Sequence, residues 1–197
     1  NQFISFVSGF SLVGMLLGVL ALVVVMSVMN GFDRELKQRL LSVIPHGFID
    51  TSSALENWPQ LAEIVQKHDD VVGAAPYIEG YGLLAYDTGV QGVQLEGVLP
   101  AWQSKISVID EHMIAGDMQG LQPGQYGIVL GSLLSRHLRL NIGDKVTITI
   151  PQLSITPAGI FPRTKRFTLV GVFEVGAQVD QSLAMIHMKD AQKLFRY

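Results

Sequence analysis

The side chains able to do covalent or acid–base chemistry are few and scattered. The five histidines, His46, His68, His112, His137 and His187, stand far apart and show no metal-ligand spacing. There is no cysteine, which removes thiol catalysis, zinc–cysteine sites and disulfides. That absence fits an exported domain that does without disulfides. The adjacent acids Asp69–Asp70 and Asp110–Glu111 read as solvated turns, because chain neighbours seldom share one catalytic face. Ser132 in LGSLLS lacks the flanking glycines of a nucleophile elbow. GYGLLA, Gly80 to Ala85, fits GxGxxA, but a dinucleotide loop must open a helix and LLAY reads as strand. No phosphate-cradling GxxxxGKS/T occurs. These residue types predict no enzyme, no metal site and no cofactor bound by this chain.

Recognition chemistry is better represented. TPAGIFPRTKRF, Thr156 to Phe167, separates the strand-like runs KVTITIP and FTLVGVF. It is longer than the roughly two to five residues of a usual hairpin link. Pro157 and Pro162 fix φ near about −65° and hold the residues before them extended, and Gly159 lies between. A preformed loop loses less entropy on docking. Ile160 and Phe161 read as apolar anchors, each worth about 1.5–3 kcal/mol if buried in a partner. Arg163, Lys165 and Arg166 follow as cations that would steer an acidic rim. On spacing alone, Ile160 and Phe161 folding back onto their own domain stays open, and Arg166, at the strand start, also reads as structural.

Such a loop needs a scaffold. From Asn1 to Phe32 the chain has no Asp, Glu, Lys or Arg, and Phe6 to Met29 is apolar except for Ser8, Ser11 and Ser27. A membrane helix needs about 20 such residues at about 1.5 Å rise each. A signal peptide has a shorter apolar core, about 7–15 residues, after a basic start. The reading is therefore a transmembrane helix over residues 1–30, with residues missing upstream of Asn1. Gly14 and Gly18 form a small-residue pair where another helix could approach closely. Phe32, Leu36, Leu40 and Val43 keep a helical period, which predicts a stalk over 31–47 ended by Pro45 and Gly47.

From Phe48 onward helices and strands mix without regular alternation, which favours α+β. WPQLAEIVQKH reads as a short helix. VVGAAPYIEG, YGLLAYD and VQGVQLEGV read as strands. IVLG leads into the helix SLLSRHL with Ser132 as cap. KVTITIP, RFTLVGVF and LAMIHM are further strands, and KDAQKLFRY is a terminal helix. Net charge is −3, from 14 Lys+Arg against 17 Asp+Glu, without a basic stripe interleaved with aromatics, so no nucleic-acid partner is expected.

VMSVMNGFDRELKQRLLSVIPHG, Val25 to Gly47, resembles the signature of the membrane subunits of the lipoprotein-releasing ABC transporter, the LolC/LolE family. NIGDKVTITIPQLSITPAGIFPRTKRFTLVGVFEVG, Asn141 to Gly176, is similar to the C-type and hybrid subunits, and VDQSLAMIHMKDAQKLFRY also fits. The resemblance implies an inner-membrane subunit whose large periplasmic domain, with a MacB-like core, follows the first of four membrane helices. It implies a partner membrane subunit, E-type or a second copy, and a separate ATPase subunit that binds the ATP. Lipoprotein substrates would be passed to a periplasmic carrier, LolA. By the same resemblance the carrier-binding hook falls on Pro151 through Pro162, with Pro151, Pro157, Gly159, Ile160, Phe161 and Pro162 as its residues. The pad falls on Arg163, Thr164 and Lys165, so the hook region spans 151–165 of a periplasmic domain, 48–197, that is incomplete at its end. Val25, Met26 and Met29 are the candidates for the lipoprotein path. The competing readings are a MacB- or FtsX-type mechanotransmitting subunit without a hook, and a membrane-anchored sensor or enzyme ectodomain.

Overall fold

The computed structural model describes residues 2–41, 47–49, 55, 57–156, 159–176 and 178–197, with the backbone alone for 2–5, 35–41, 153–156 and 159–161. Two compact units emerge, Asn1–Leu41 and Ser42–Tyr197. The first is a single helix, α1 (Gln2–Leu41), of 40 residues, about 60 Å at about 1.5 Å each. Its Phe6–Arg34 portion is long and apolar enough to cross a membrane, and its side chains are exposed throughout. The helix runs past the apolar stretch, as the Phe32 and Leu36 spacing predicts. Pro45, the expected stop, lies outside the described residues.

The second unit starts with α2 (Trp58–Val65), where Pro59 occupies the first turn and has no N–H to leave unpaired. Then follow β1 (Tyr77–Tyr86), β2 (Gly89–Val98), the short α3 (Pro100–Gln103), β3 (Met113–Gly116), β4 (Gly127–Gly131) and α4 (Ser132–His137). The chain continues through β5 (Lys145–Thr156), β6 (Gly159–Phe173), α5 (Val179–Ser182), β7 (Leu183–His187) and α6 (Met188–Phe195). The α+β reading holds. Two local expectations do not. Residues 71–76 carry no ladder, so the strand expected from Val71 begins only at Tyr77. Ser132 does not cap α4. Gly131 holds the N-cap position, and the Ser132 hydroxyl donates instead to Glu174 Oε1 at 3.0 Å.

The sheet order is β3-β6-β4-β7-β2-β1-β5, and β5 also pairs with β6. That last ladder closes six of the seven strands into a ring. One edge of β6 carries β4, while the other carries β5 up to Thr168 and β3 from Gly171. Strand alternation then sorts the core into two layers. Leu84, Leu95, Ile128, Leu130, Ile148, Phe167, Leu169 and Ile186 face inward. Val98, Val129, Phe173, Leu183 and Met185 face outward, beneath Ile109, Met118 and Leu121 of the β2–β4 connection. A bulge at Val170, between the pairs Ile128–Leu169 and Val129–Gly171, lets β6 supply both Leu169 and Val172 to the inner layer.

Helix α6 enters one mouth of this ring, and glycines make the room. A Cβ on Gly97 would strike the Cβ of Ala191, and one on Gly80 would strike the Phe195 ring. Both glycines stand on the inner face, where Leu95 and Ile78 alternate with them. The glycines of GYGLLA therefore admit a helix from far along the chain, and the motif lies wholly within β1. His187 caps α6, its Nδ1 accepting the Lys189 N–H at 3.1 Å. Burial lowers its pKa, the neighbouring Asp190 opposes that, and the neutral ring is the form that can accept.

Gly97→Ala should force α6 outward and cost about 1–3 kcal/mol, read as a lower urea midpoint with an unchanged m-value. Gly92, whose Cβ would meet open space, is the control. Equal losses at both positions would remove the packing argument.

Candidate functional site

The segment expected as a long loop is a pair of strands. The β5–β6 register runs from Lys145–Thr168 to Thr156–Gly159, and residues 157 and 158 between them lie outside the described residues. Pro151, the last residue of the strand expected in KVTITIP, is followed by further strand, although a proline inside a strand usually argues against one. It falls at a bulge, between the pairs Ile150–Arg163 and Leu153–Pro162, where residues 151 and 152 have no opposite number. Beyond Ile150, β5 and β6 pair only with each other among the described residues. At about 3.3 Å per residue this makes a two-stranded arm about 20 Å long. Its stiffness comes from paired backbone, in addition to proline. Pro151 and Pro162 are exposed. Gly159, Ile160 and Phe161 continue the strand backbone. The orientation of the Ile160 and Phe161 side chains, and all of Pro157, lie outside the described residues.

At the base of the arm the period of two separates the pad residues. Arg163 pairs with Ile150 and Lys165 with Ile148, both fully buried, so these two cations leave from the inner face. Thr164 and Arg166 pair with Thr149 and Thr147 and leave from the outer face. Arg163 turns onto its own domain. Its Nη1 lies 3.4 Å from Gln152 Oε1 and 3.4 Å from the Leu194 carbonyl, at the end of α6 where carbonyls lack helical partners. Its buried Nε has no acceptor among the described residues. Lys165 lies over the Tyr126 ring, Nζ 3.9 Å from the centroid, and Lys193 of α6 approaches the same ring at 5.9 Å. Tyr126 holds a left-handed backbone, φ 53°, and stacks edge-on against Phe167. Asp190, fully buried at the start of α6, fixes that turn. Its carboxylate accepts the Gly124 N–H at 2.9 Å and the Tyr126 N–H at 3.2 Å.

Tyr126 and Lys193 are absent from the sequence reading. No local spacing joins them to Lys165, since they meet only through β6 and α6. On α1 the remaining candidates are exposed. Val25, Met26 and Met29 are 62–67% accessible, and a Cβ on Gly14 or Gly18 would have no neighbour within 4 Å. Both sets are uncovered among the described residues.

Rival chemistry is weak. The described residues hold no group of three or more His, Asp or Glu placed to bind a metal. A cleft of about 240 Å³ beside α4 includes Ile114, Ser132, Arg136 and Ile142, but Arg136 is already paired with Glu174 at 3.0 Å. Among the described residues the one clearly shifted carboxyl is Glu96, directly opposite Glu79 across the β1–β2 ladder. Tyr81 donates to Glu79 at 2.9 Å, and Gln94 bridges the two acids at 3.3 and 3.5 Å. Burial first, and the Glu79 charge second, push Glu96 up to about 7. Among the described residues no nucleophile or cation converges on the pair, so it reads as sheet surface.

The chain matches the MacB-like periplasmic core domain family over residues 8–197. It is 42% identical over 200 residues to the lipoprotein-releasing system transmembrane protein LolC of Neisseria meningitidis serogroup B, covering 100% of this chain and 48% of that protein. It is 28% identical over 202 residues to the lipoprotein-releasing system transmembrane protein LolE of Haemophilus influenzae, again covering 100% of this chain and 48% of that protein. Among solved structures, the periplasmic region of MacB from Actinobacillus actinomycetemcomitans superposes with a TM-score of 0.46 at 13% identity, covering 71% of this chain and 58% of that one. The chain spans about half the length of the curated relatives it matches.

Glu96 makes a contribution of definite sign to the pH dependence of this domain. Its pKa rises from 4.5 to about 7 on folding, so the folded state holds the proton more tightly and loses that stability as pH climbs through this window. Glu96→Gln should match the parent below pH 4.5 and exceed it by about 1–3 kcal/mol at pH 8 in chemical denaturation. Parallel curves at both pH values would mean that the carboxyl ionises freely.

Proposed function

The chain belongs to the MacB-like periplasmic core domain family, and on that premise we propose that it is the first helix and periplasmic domain of a non-enzymatic membrane subunit that releases lipoproteins. Similarity along the whole of this chain to about half the length of proteins named LolC supports this reading. In it, α1 crosses the bacterial inner membrane and the second unit lies in the periplasm. ATP is bound and hydrolysed by a separate ATPase subunit. A second membrane subunit, E-type or another copy, packs beside α1, with Gly14 and Gly18 as the close-approach face.

The observation that carries the functional reading is the arm. Two strands that leave a closed sheet and pair only with each other do nothing for the core, yet they hold a turn at a fixed distance from it. That arrangement suits capture of a soluble partner, here the periplasmic lipoprotein carrier of the LolA type. Pro151 sets the bend and Pro157 and Gly159 the turn. Ile160 and Phe161 supply the apolar anchors, with Pro162 behind them. Arg163, Thr164 and Lys165 form the pad at the foot. Lipoprotein acyl chains reach the complex past Val25, Met26 and Met29, whose flexible, polarisable side chains suit varied apolar cargo.

Phe161→Asp, or deletion of residues 157–162, should abolish capture of purified carrier by the detergent-solubilised chain while the thermal melt stays at the parental midpoint. Parental capture by the deletion variant rejects the arm as the carrier site and favours a purely mechanotransmitting subunit. At the other end, photo-crosslinkers placed at Val25, Met26 or Met29 in the assembled transporter should trap lipoprotein. Products containing phospholipid alone would remove these residues from the path.

A further inference from the structure

The net charge of −3 conceals an uneven distribution of charge along the chain. From Asn57 to Gly131 there are nine Asp and Glu against two Lys and Arg, and from Ser132 to Tyr197 nine Lys and Arg against four Asp and Glu. Those four acids are all engaged within the fold. Asp180 accepts the Val175 and Gly176 N–H groups, and Asp190 those of Gly124 and Tyr126. Asp144 accepts the Asn141 N–H, and Glu174 pairs with Arg136. The basic half therefore has no carboxylate to spare for Lys165 or Lys193. Both are exposed, both converge on the neutral Tyr126 ring, and neither has an acidic partner among the described residues. Like charges gathered without a counter-charge raise the energy of the free domain, and an arriving anionic group lowers it.

We propose that Lys193 of the last helix, with Tyr126, extends the carrier contact beyond the pad residue Lys165 that shares the Tyr126 ring, and that this added surface takes an acidic patch of that protein. The inference rests on the arm being the carrier site and extends it to a helix that neither the proline-rich segment nor its cations identify. The side chains are held before a partner arrives. Tyr126 is fixed from behind by Asp190 through its own N–H and is packed on Phe167. Lys165 is laid on its ring, and Arg163 beside it is held by the Leu194 carbonyl. A preset arrangement suits a protein face with carboxylates at fixed positions, where little side-chain entropy remains to be lost. Lipid headgroups, which rearrange freely, have no need of it. Charges at such a rim act mainly on the association rate and lose effect with salt.

The test uses the full 197-residue chain in detergent micelles, purified carrier, and vesicles of phosphatidylglycerol and phosphatidylethanolamine. Lys193→Glu should weaken carrier binding roughly five- to tenfold, chiefly through slower association, with the gap narrowing in high salt. Lys193→Arg should bind like the parent, and all variants should melt together. If Lys193→Glu binds carrier normally while deletion of residues 157–162 abolishes binding, the helix surface is rejected and the arm stands. If the deletion leaves binding intact, the arm reading fails and this inference with it. Loss of vesicle binding by Lys193→Glu with unchanged carrier binding would assign the patch to the membrane and overturn the proposal.

Discussion

The ladder between β5 and β6 is the interaction on which the rest of this domain depends. It turns an open sheet into a ring, so that Ile148, Phe167 and Leu95 face one another across a closed interior instead of lining an exposed face. It also fixes where the arm begins, because the same two strands continue outward once β1 has stopped pairing at Thr149. Core and arm thus share one register. A slip of one residue would exchange the faces of every side chain in both. The cations at the foot inherit their directions from that register: Lys165 lies inward with Ile148, and Arg166 outward with Thr147.

Helix α6 answers the opposite end of the closure problem. A ring of strands leaves open mouths, and Ala191, Leu194 and Phe195 fill one of them over glycines that offer no side chain in return. The helix is pinned at its start by His187 and at its end by the Arg163 contact to Leu194. Through Asp190 it also holds the turn that carries Tyr126. One short helix therefore ties the arm base, the Tyr126 turn and the core plug into a single packed unit.

Much of this was legible in sequence, and the failures have physical causes. The uncharged run to Phe32 and the period of Phe32 and Leu36 indicate one continuous helix, because bilayer thickness and helical pitch leave little choice. The alternation in KVTITIP and VQGVQLEGV marks strands for the same kind of reason. The hairpin was obscured because Pro151 and Pro162 break the pattern that pairing then restores around a bulge. Four-residue β3 carries too few alternations to register at all. The meeting of Lys165, Tyr126 and Lys193 arises only from the order of strands around the ring, which no window along the chain contains. The glycines of GYGLLA advertised a nucleotide loop, whereas their use is set by Phe195, more than a hundred residues away in sequence.

A hairpin that leaves its sheet exposes two strand edges, and open edges invite other chains to add on and polymerise. The prolines answer this hazard. Pro151 and Pro162 carry no N–H, so neither can donate to an incoming strand, and the two-residue bulge at 151–152 interrupts the flat edge that strand addition needs. Arg166 and Lys165 add like charges that would oppose each other in stacked copies. The prolines and cations of the arm thus guard the domain against aggregation with itself, and smoothing the arm into a regular, proline-free ribbon would trade solubility for regularity.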